Sequence, residues 1–174
     1  MTTPATTPAA FALSARILCG ALMGALVLMG LVLFFVLPSD ETPPIWVPLA
    51  QVVAAVVVHV GLETIGYRIA PLESALSDDE AAAEARTRWQ SSMMVRFALS
   101  EAIAIGSIAL AFVVDGGIWV YLVGAAVSLV LMWIHVWPGA RSVGRTADAL
   151  EAGGRASHLR ETFGASAPGP IQQF

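Results

Sequence analysis

Lysine is absent from the chain and cysteine occurs once, at Cys19. A lone cysteine excludes an internal disulfide and leaves the redox compartment unread. The motifs of the common soluble enzyme classes are missing as well: there is no Walker loop, no dinucleotide-binding glycine pattern and no G-x-S-x-G. His59, His135 and His158 are not spaced as a metal triad. As haem ligands, His59 and His135 would sit at unequal depths. These absences predict a protein that is not an enzyme and holds no cofactor and no metal. The leader Met1–Ala10 has no basic residue and no A-x-A site follows the first apolar run, which argues against a cleaved signal peptide. Cys19 opens that run instead of closing it, so a lipoprotein site is not expected either.

What the chain does have is apolar length. Hydrophobic residues make up 57% of it and mean hydropathy is +0.75, beyond the range of a soluble domain this size. Four windows reach the roughly 20 apolar residues that cross a hydrocarbon core: about 10–37, 46–70, 93–114 and 117–137. Lipid offers the backbone no hydrogen-bond partner, so such runs must be helices. The expected fold class is all-α and integral to the membrane, with four transmembrane helices in two hairpins. A disordered leader (1–10) precedes the four-helix domain (11–137). That domain carries a loop and helix extension at 71–92, and an interfacial segment with a disordered tail follows (138–174).

The formal charge of −4 is segregated and does not suggest a nucleic-acid partner. All nine basic residues are arginines, a bias typical of a GC-rich bacterial genome. They fall at the N-terminal entry (Arg16), in the middle loop (Arg68 to Arg96) and in the C-terminal region (Arg141 to Arg160). The other two loops carry Asp40, Glu41 and Asp115 and no base. By the positive-inside rule both termini and the middle loop face the cytoplasm of an inner (plasma) membrane.

Phe11–Gly30 (FALSARILCGALMGALVLMG) and Phe97–Gly116 (FALSEAIAIGSIALAFVVDG) agree at nine of 20 positions without a gap. Ile-Trp-Val-x-Leu follows each, at Ile45–Leu49 and Ile118–Leu122. The pattern predicts a tandem duplication of one helical hairpin. Gly20 and Gly24 on the first helix, and Ala98, Ala102 and Gly106 on the third, are small-residue faces on which helices one and three are expected to meet. Ser77-Asp-Asp-Glu80 reads as a capping box, and no Gly or Pro interrupts the chain from Asp78 to Ile105. Helix three is therefore expected to start outside the membrane and enter it as one rod.

Ionisable side chains inside membrane spans are costly and mark candidate sites. His59, Glu63 and Tyr67 recur every four residues on one helix face. Arg96 lies at the membrane boundary, with Glu101 about 7.5 Å deeper. Arg16 aligns with Ala102 in the repeat, so an Arg16–Glu101 pair across the repeat is expected. Together Arg16, His59, Glu63, Arg96 and Glu101 form a predicted intramembrane polar cluster, either ion pairs that lock the hairpins or a proton relay. Leu99-Ser-Glu101-Ala-Ile-Ala-Ile-Gly106 resembles the ion-carrying helix of rotary ATPase proteolipid subunits over this one helix. That resemblance implies a proton-carrying role for Glu101. Helix two lacks that family's glycine repeat. The outer half of the spans offers only Gln51, Ser107 and Ser128 as polar groups, too few for a complete path. The main expectation is thus a non-catalytic accessory or scaffold subunit of a membrane complex. Its partners would be the lipid bilayer and other membrane subunits or further copies of itself. The rival expectation is a small proton- or ion-coupled transporter using Glu101 and Glu63.

Overall fold

A computed structural model describes residues 7–165. The described chain is helical throughout: α1 Pro8–Phe34, α2 Trp46–Thr64, α3 Asp78–Ala111, α4 Gly117–His135, α5 Ala140–Glu151 and α6 Leu159–Phe163, with no strand among the described residues. Four of these, α1 to α4, are long and apolar enough to cross a membrane. Of the predicted leader, residues 1–6 lie outside the described part and Pro8 already opens α1, with Thr7 Oγ1 accepting from the Ala10 amide at 3.3 Å. Residues 166–174 of the predicted tail also lie outside it.

Two helix limits carry information. The second span was expected to reach residue 70, yet α2 stops at Thr64. There Ile65 leaves helical geometry (φ −122°), and the Gly66 α-carbon lies so close to Leu62 that a side chain at 66 would collide with it. In contrast, α3 runs 34 residues unbroken. Its capping box forms: the Glu80 carboxylate accepts from the Ser77 amide at 2.9 Å and the Ser77 hydroxyl at 2.6 Å. Hydrogen bonds from Ser77 hold the Glu80 carboxyl below its ordinary value.

Helix α4 is the hub, packing on α3, α2 and α1. On the α3 side its small residues Gly124 and Ser128 meet Ser107 and Ala104, all buried. The Ala104 amide donates to Ser128 Oγ at 3.0 Å. Gln51 of α2 joins the seam, its amide donating to Ser107 Oγ at 2.8 Å and to the Val120 carbonyl at 2.7 Å. Helix α1 is held by Tyr121, whose hydroxyl donates to the Leu26 carbonyl at 2.7 Å beside Gly30. The expected meeting of α1 and α3 through Gly20, Gly24, Ala98, Ala102 and Gly106 does not occur. All five are exposed, and nothing lies within 4 Å of a side chain added at the three glycines. Within the span α1 turns Cys19, Leu26 and Leu33 to the core instead, a seven-residue spacing that suits α4.

At the acidic end the two short loops interlock. The Ile118 amide donates to the Pro38 carbonyl at 3.0 Å, and the Gly116 amide to Glu41 Oε2 at 3.2 Å. Gly116 (φ +134°) and Gly117 (φ +51°) occupy conformations only glycine adopts freely, and side chains there would run into Pro43 and Pro38.

The arginine end departs most from expectation. The predicted disordered tail is ordered through Ala165: α5 and α6 fold back to cap the part of α3 that precedes its apolar half. Leu159 and Phe163, one turn apart, bury against Trp89, whose ring lies 4.7 Å from that of Phe163 and 6.0 Å from that of Phe11. Arg160 bridges Asp148 at 2.5 Å and Glu151 at 2.7 Å. Burial raises the Glu151 carboxyl, but hydrogen bonds from Ser157 and Arg160 outweigh it and leave the group below its ordinary value. A depressed folded-state value stabilises the cap above the unfolded carboxylate value of about 4.3. That contribution is lost as pH falls through the lower folded-state value. Acidification below about pH 4 is expected to lower the amide protection factors of 157–165, taken relative to the intrinsic exchange rate at each pH, while those of α1 to α4 stay high. Equal protection factors in 157–165 at about pH 7 and about pH 3.5 would show that Glu151 does not hold the cap.

Candidate functional site

Helix α2 presents His59 and Glu63 on one face, and the turn after it brings Tyr67 to the same side. These three converge on His135, at the end of α4. His59 Nδ1 lies 2.9 Å from His135 Nε2, and the Tyr67 hydroxyl lies 3.2 Å from His135 Nδ1. The unequal depths expected for the two histidines are thus corrected: their rings are in contact, with centroids 5.0 Å apart. One consistent proton assignment has Tyr67 donating to His135 and His135 donating to His59. The reverse order satisfies the same atoms.

Glu63 is claimed by α5. Arg141 donates to Glu63 Oε1 at 2.8 Å, Arg145 donates to Glu63 Oε2, and His135 Nδ1 is 3.7 Å away. Arg96 of α3 closes the cluster from below with no side-chain exposure at all. Its Nη1 donates to Ser92 Oγ at 3.0 Å and Thr146 Oγ1 at 3.3 Å, whereas Nε and Nη2 have no partner. The guanidinium groups of Arg96 and Arg145 both stack on the Tyr67 ring, at 4.5 and 4.8 Å from its centre. Such stacking supplies part of the stabilisation that a carboxylate would otherwise give.

His59, Glu63 and Arg96, three members of the predicted cluster, therefore meet, and two do not. The Arg16–Glu101 pair is absent: Arg16 donates to the Phe163 carbonyl at 3.0 Å, an unpaired acceptor at the end of α6. Glu101 is half-buried and enters no ion pair among the described residues. Aligned positions in two similar segments say nothing of the direction a side chain faces. The sequence reading left His135, Arg141 and Arg145 out of the cluster. Tyr67 had a visible signal, the four-residue spacing from His59 and Glu63.

His59, Glu63 and His135 have ligand atoms within 4.8 Å of one another, a grouping whose residue types suit a divalent cation. Charge argues against that use. Both Glu63 oxygens are taken by arginines, and three guanidiniums stand against one carboxylate. A cation would enter a region already in positive excess. The arrangement is suited to holding an anion, or to passing a proton among His59, His135 and Tyr67. No family model matches the chain, and no curated protein or solved structure matches it either.

Proposed function

We propose that the chain is a multi-pass inner-membrane protein with its arginine end in the cytoplasm, acting as a non-catalytic accessory or scaffold subunit of a membrane complex. The observation that supports this best is the unbroken α3, one rod from the apolar bundle into the folded cap. Its length, about 50 Å at 1.5 Å per residue, ties bundle to cap without a hinge. Asp79, Ala83 and Thr87 lie along an exposed strip of α3 beyond the bundle, opposite the buried Ala81, Ala85 and Trp89. That strip is the docking surface in this reading. The tandem-hairpin origin and the orientation are part of the same proposal, resting on the repeated segments and the positive-inside rule.

Ala83→Arg with Thr87→Arg is expected to leave the protein folded and to remove partners that co-purify in mild detergent. A wild-type protein that purifies alone, or partners retained by the double variant, would sink the scaffold reading. The rival, proton- or ion-coupled transport through Glu63 and Glu101, is favoured only by the His59–His135–Tyr67 chain. Two observations weigh against it: Glu63 is committed to two arginines, and the Gln51–Ser107 seam nearer the acidic end is closed. Reconstituted vesicles should accordingly show no flux under a proton gradient. A flux abolished by Glu101→Gln would restore the transporter.

A further inference from the structure

An apolar groove of about 450 Å³ runs between α2 and α4, lined among others by Val52, Val56, Val127, Val130 and Ile134, with His59 as its polar end. A second hollow of about 350 Å³ shares Ile134 and ends on Arg141, walled by Trp133 and Trp137. Those two indoles stack at 5.3 Å and 18°, a flat aromatic wall. The groups are arranged in order along the bundle. The apolar groove comes first, then His59, then Glu63 one turn (about 5–6 Å) nearer the arginine end, with Arg141 and Arg145 upon it.

We propose that these two hollows, adjoining at Ile134, together bind one anionic phospholipid, with a chain in the α2–α4 groove and its phosphate on Arg141 and Arg145. Three physical arguments converge. The groove opens on the side of the bundle that would face lipid, so a free soluble anion has no reason to use it. Its far end carries Arg141 and Arg145 against the single carboxylate of Glu63, which leaves one positive charge uncompensated there, and the buried Arg96 behind Tyr67 adds a second. Basic pockets between membrane helices near the cytoplasmic surface favour anionic headgroups for this reason. A zwitterionic lipid would bring its own cation to the same arginines. The first turn of α5, capped by Gly139 with no side-chain hydrogen bond, adds backbone amides beside Arg141. His59, at the depth between phosphate and chain, offers a ring nitrogen to the ester region. This reading is independent of the scaffold proposal, because a lipid site can exist with or without a protein partner.

The test is native mass spectrometry of the full chain equilibrated in detergent with equal phosphatidylglycerol and phosphatidylcholine. The wild type should retain one phosphatidylglycerol in preference. Arg141→Gln removes an exposed base and leaves the Arg145–Glu63 pair in place, so folding should persist. Retention should fall about fivefold, the equivalent of about 1 kcal/mol per basic residue near the headgroups. Ala126→Phe, at an exposed position, fills the groove from its apolar side and should lower retention with every charge intact. If Arg141→Gln fails to fold, Ala126→Phe alone decides. Equal retention of the two lipids by the wild type overturns the site. So does unchanged phosphatidylglycerol retention in either folded variant.

Discussion

Gly124→Val is expected to separate α3 from α4 and to destabilise the bundle by about 2–4 kcal/mol. A β-carbon at position 124 would overlap the Ser107 side chain and crowd the Gln51 amide at 3.1 Å. Neither neighbour yields freely. Ser107 is held by its donation to the Ile103 carbonyl at 2.7 Å and by the Gln51 hydrogen bond. Relief therefore requires the helices to part. Overpacking alone costs about 1–3 kcal/mol, and interhelical hydrogen bonds in membrane proteins average about 0.6 kcal/mol each. With the Gln51–Ser107 and Ala104–Ser128 bonds lost as well, a total of about 2–4 kcal/mol follows. The measurement is a denaturation midpoint in detergent, with Gly124→Ala giving a smaller loss of the same sign. Combining Gly124→Ala with Ser107→Gly should recover part of the loss, because the colliding atoms are gone. If Gly124→Val unfolds at the wild-type midpoint, the α3–α4 seam is not the hub described above.

That seam shows what the sequence could and could not convey. The spans were legible because lipid imposes one requirement, about 20 apolar residues in a helix, on each of them separately. The capping box was legible because its partners are three residues apart. Choosing which small residues meet is a different problem, since every span has candidates. Gly20, Gly24, Ala98, Ala102 and Gly106 form as good a pattern as Gly124 and Ser128 facing Ala104 and Ser107, yet only the latter set is packed. The difference lies in cross-helix hydrogen bonds, from the Ala104 amide to Ser128 and from Gln51 to Ser107, which depend on helix rotation. The same holds at the polar cluster. The four-residue spacing of His59, Glu63 and Tyr67 was visible on one helix, whereas their convergence on His135 depends on the tilt and rotation of α2 against α4. For α5 the sequence conveyed an interfacial segment but not that Arg141 and Arg145 would reach Glu63. Its buried Val143, Ala147 and Leu150 instead dock it on the bundle and aim both arginines at Glu63.

Trp89→Ala is expected to release the cap while leaving the four long helices in place. Trp89 is fully buried between Phe11 and Phe163, and truncating a buried tryptophan costs about 3–5 kcal/mol. The ion pairs between Arg160 or Arg155 and their carboxylates are the alternative source of its stability. They are Arg160 with Asp148 and Glu151, and Arg155 with Asp78, pairs in which the carboxylates of Asp148 and Asp78 are largely exposed. Pairs of that kind contribute about 0–1 kcal/mol each, so the aromatic cluster should dominate. A loss of about 3 kcal/mol corresponds to roughly a hundredfold rise in the open population of α6. Limited trypsin digestion after Arg155 and Arg160 reads it directly, with faster cleavage there and none in α1 to α4. Trp89→Phe separates packing from shape. It keeps a ring against Phe11 and Phe163 and removes an indole N–H that is buried without an acceptor. Its cleavage rate should stay within a few-fold of wild type. Unchanged protection in Trp89→Ala would assign the cap to its ion pairs, and high salt should then open it. Ala83 and Thr87 remain on α3 when the cap opens, so Trp89→Ala is expected to leave that exposed strip intact.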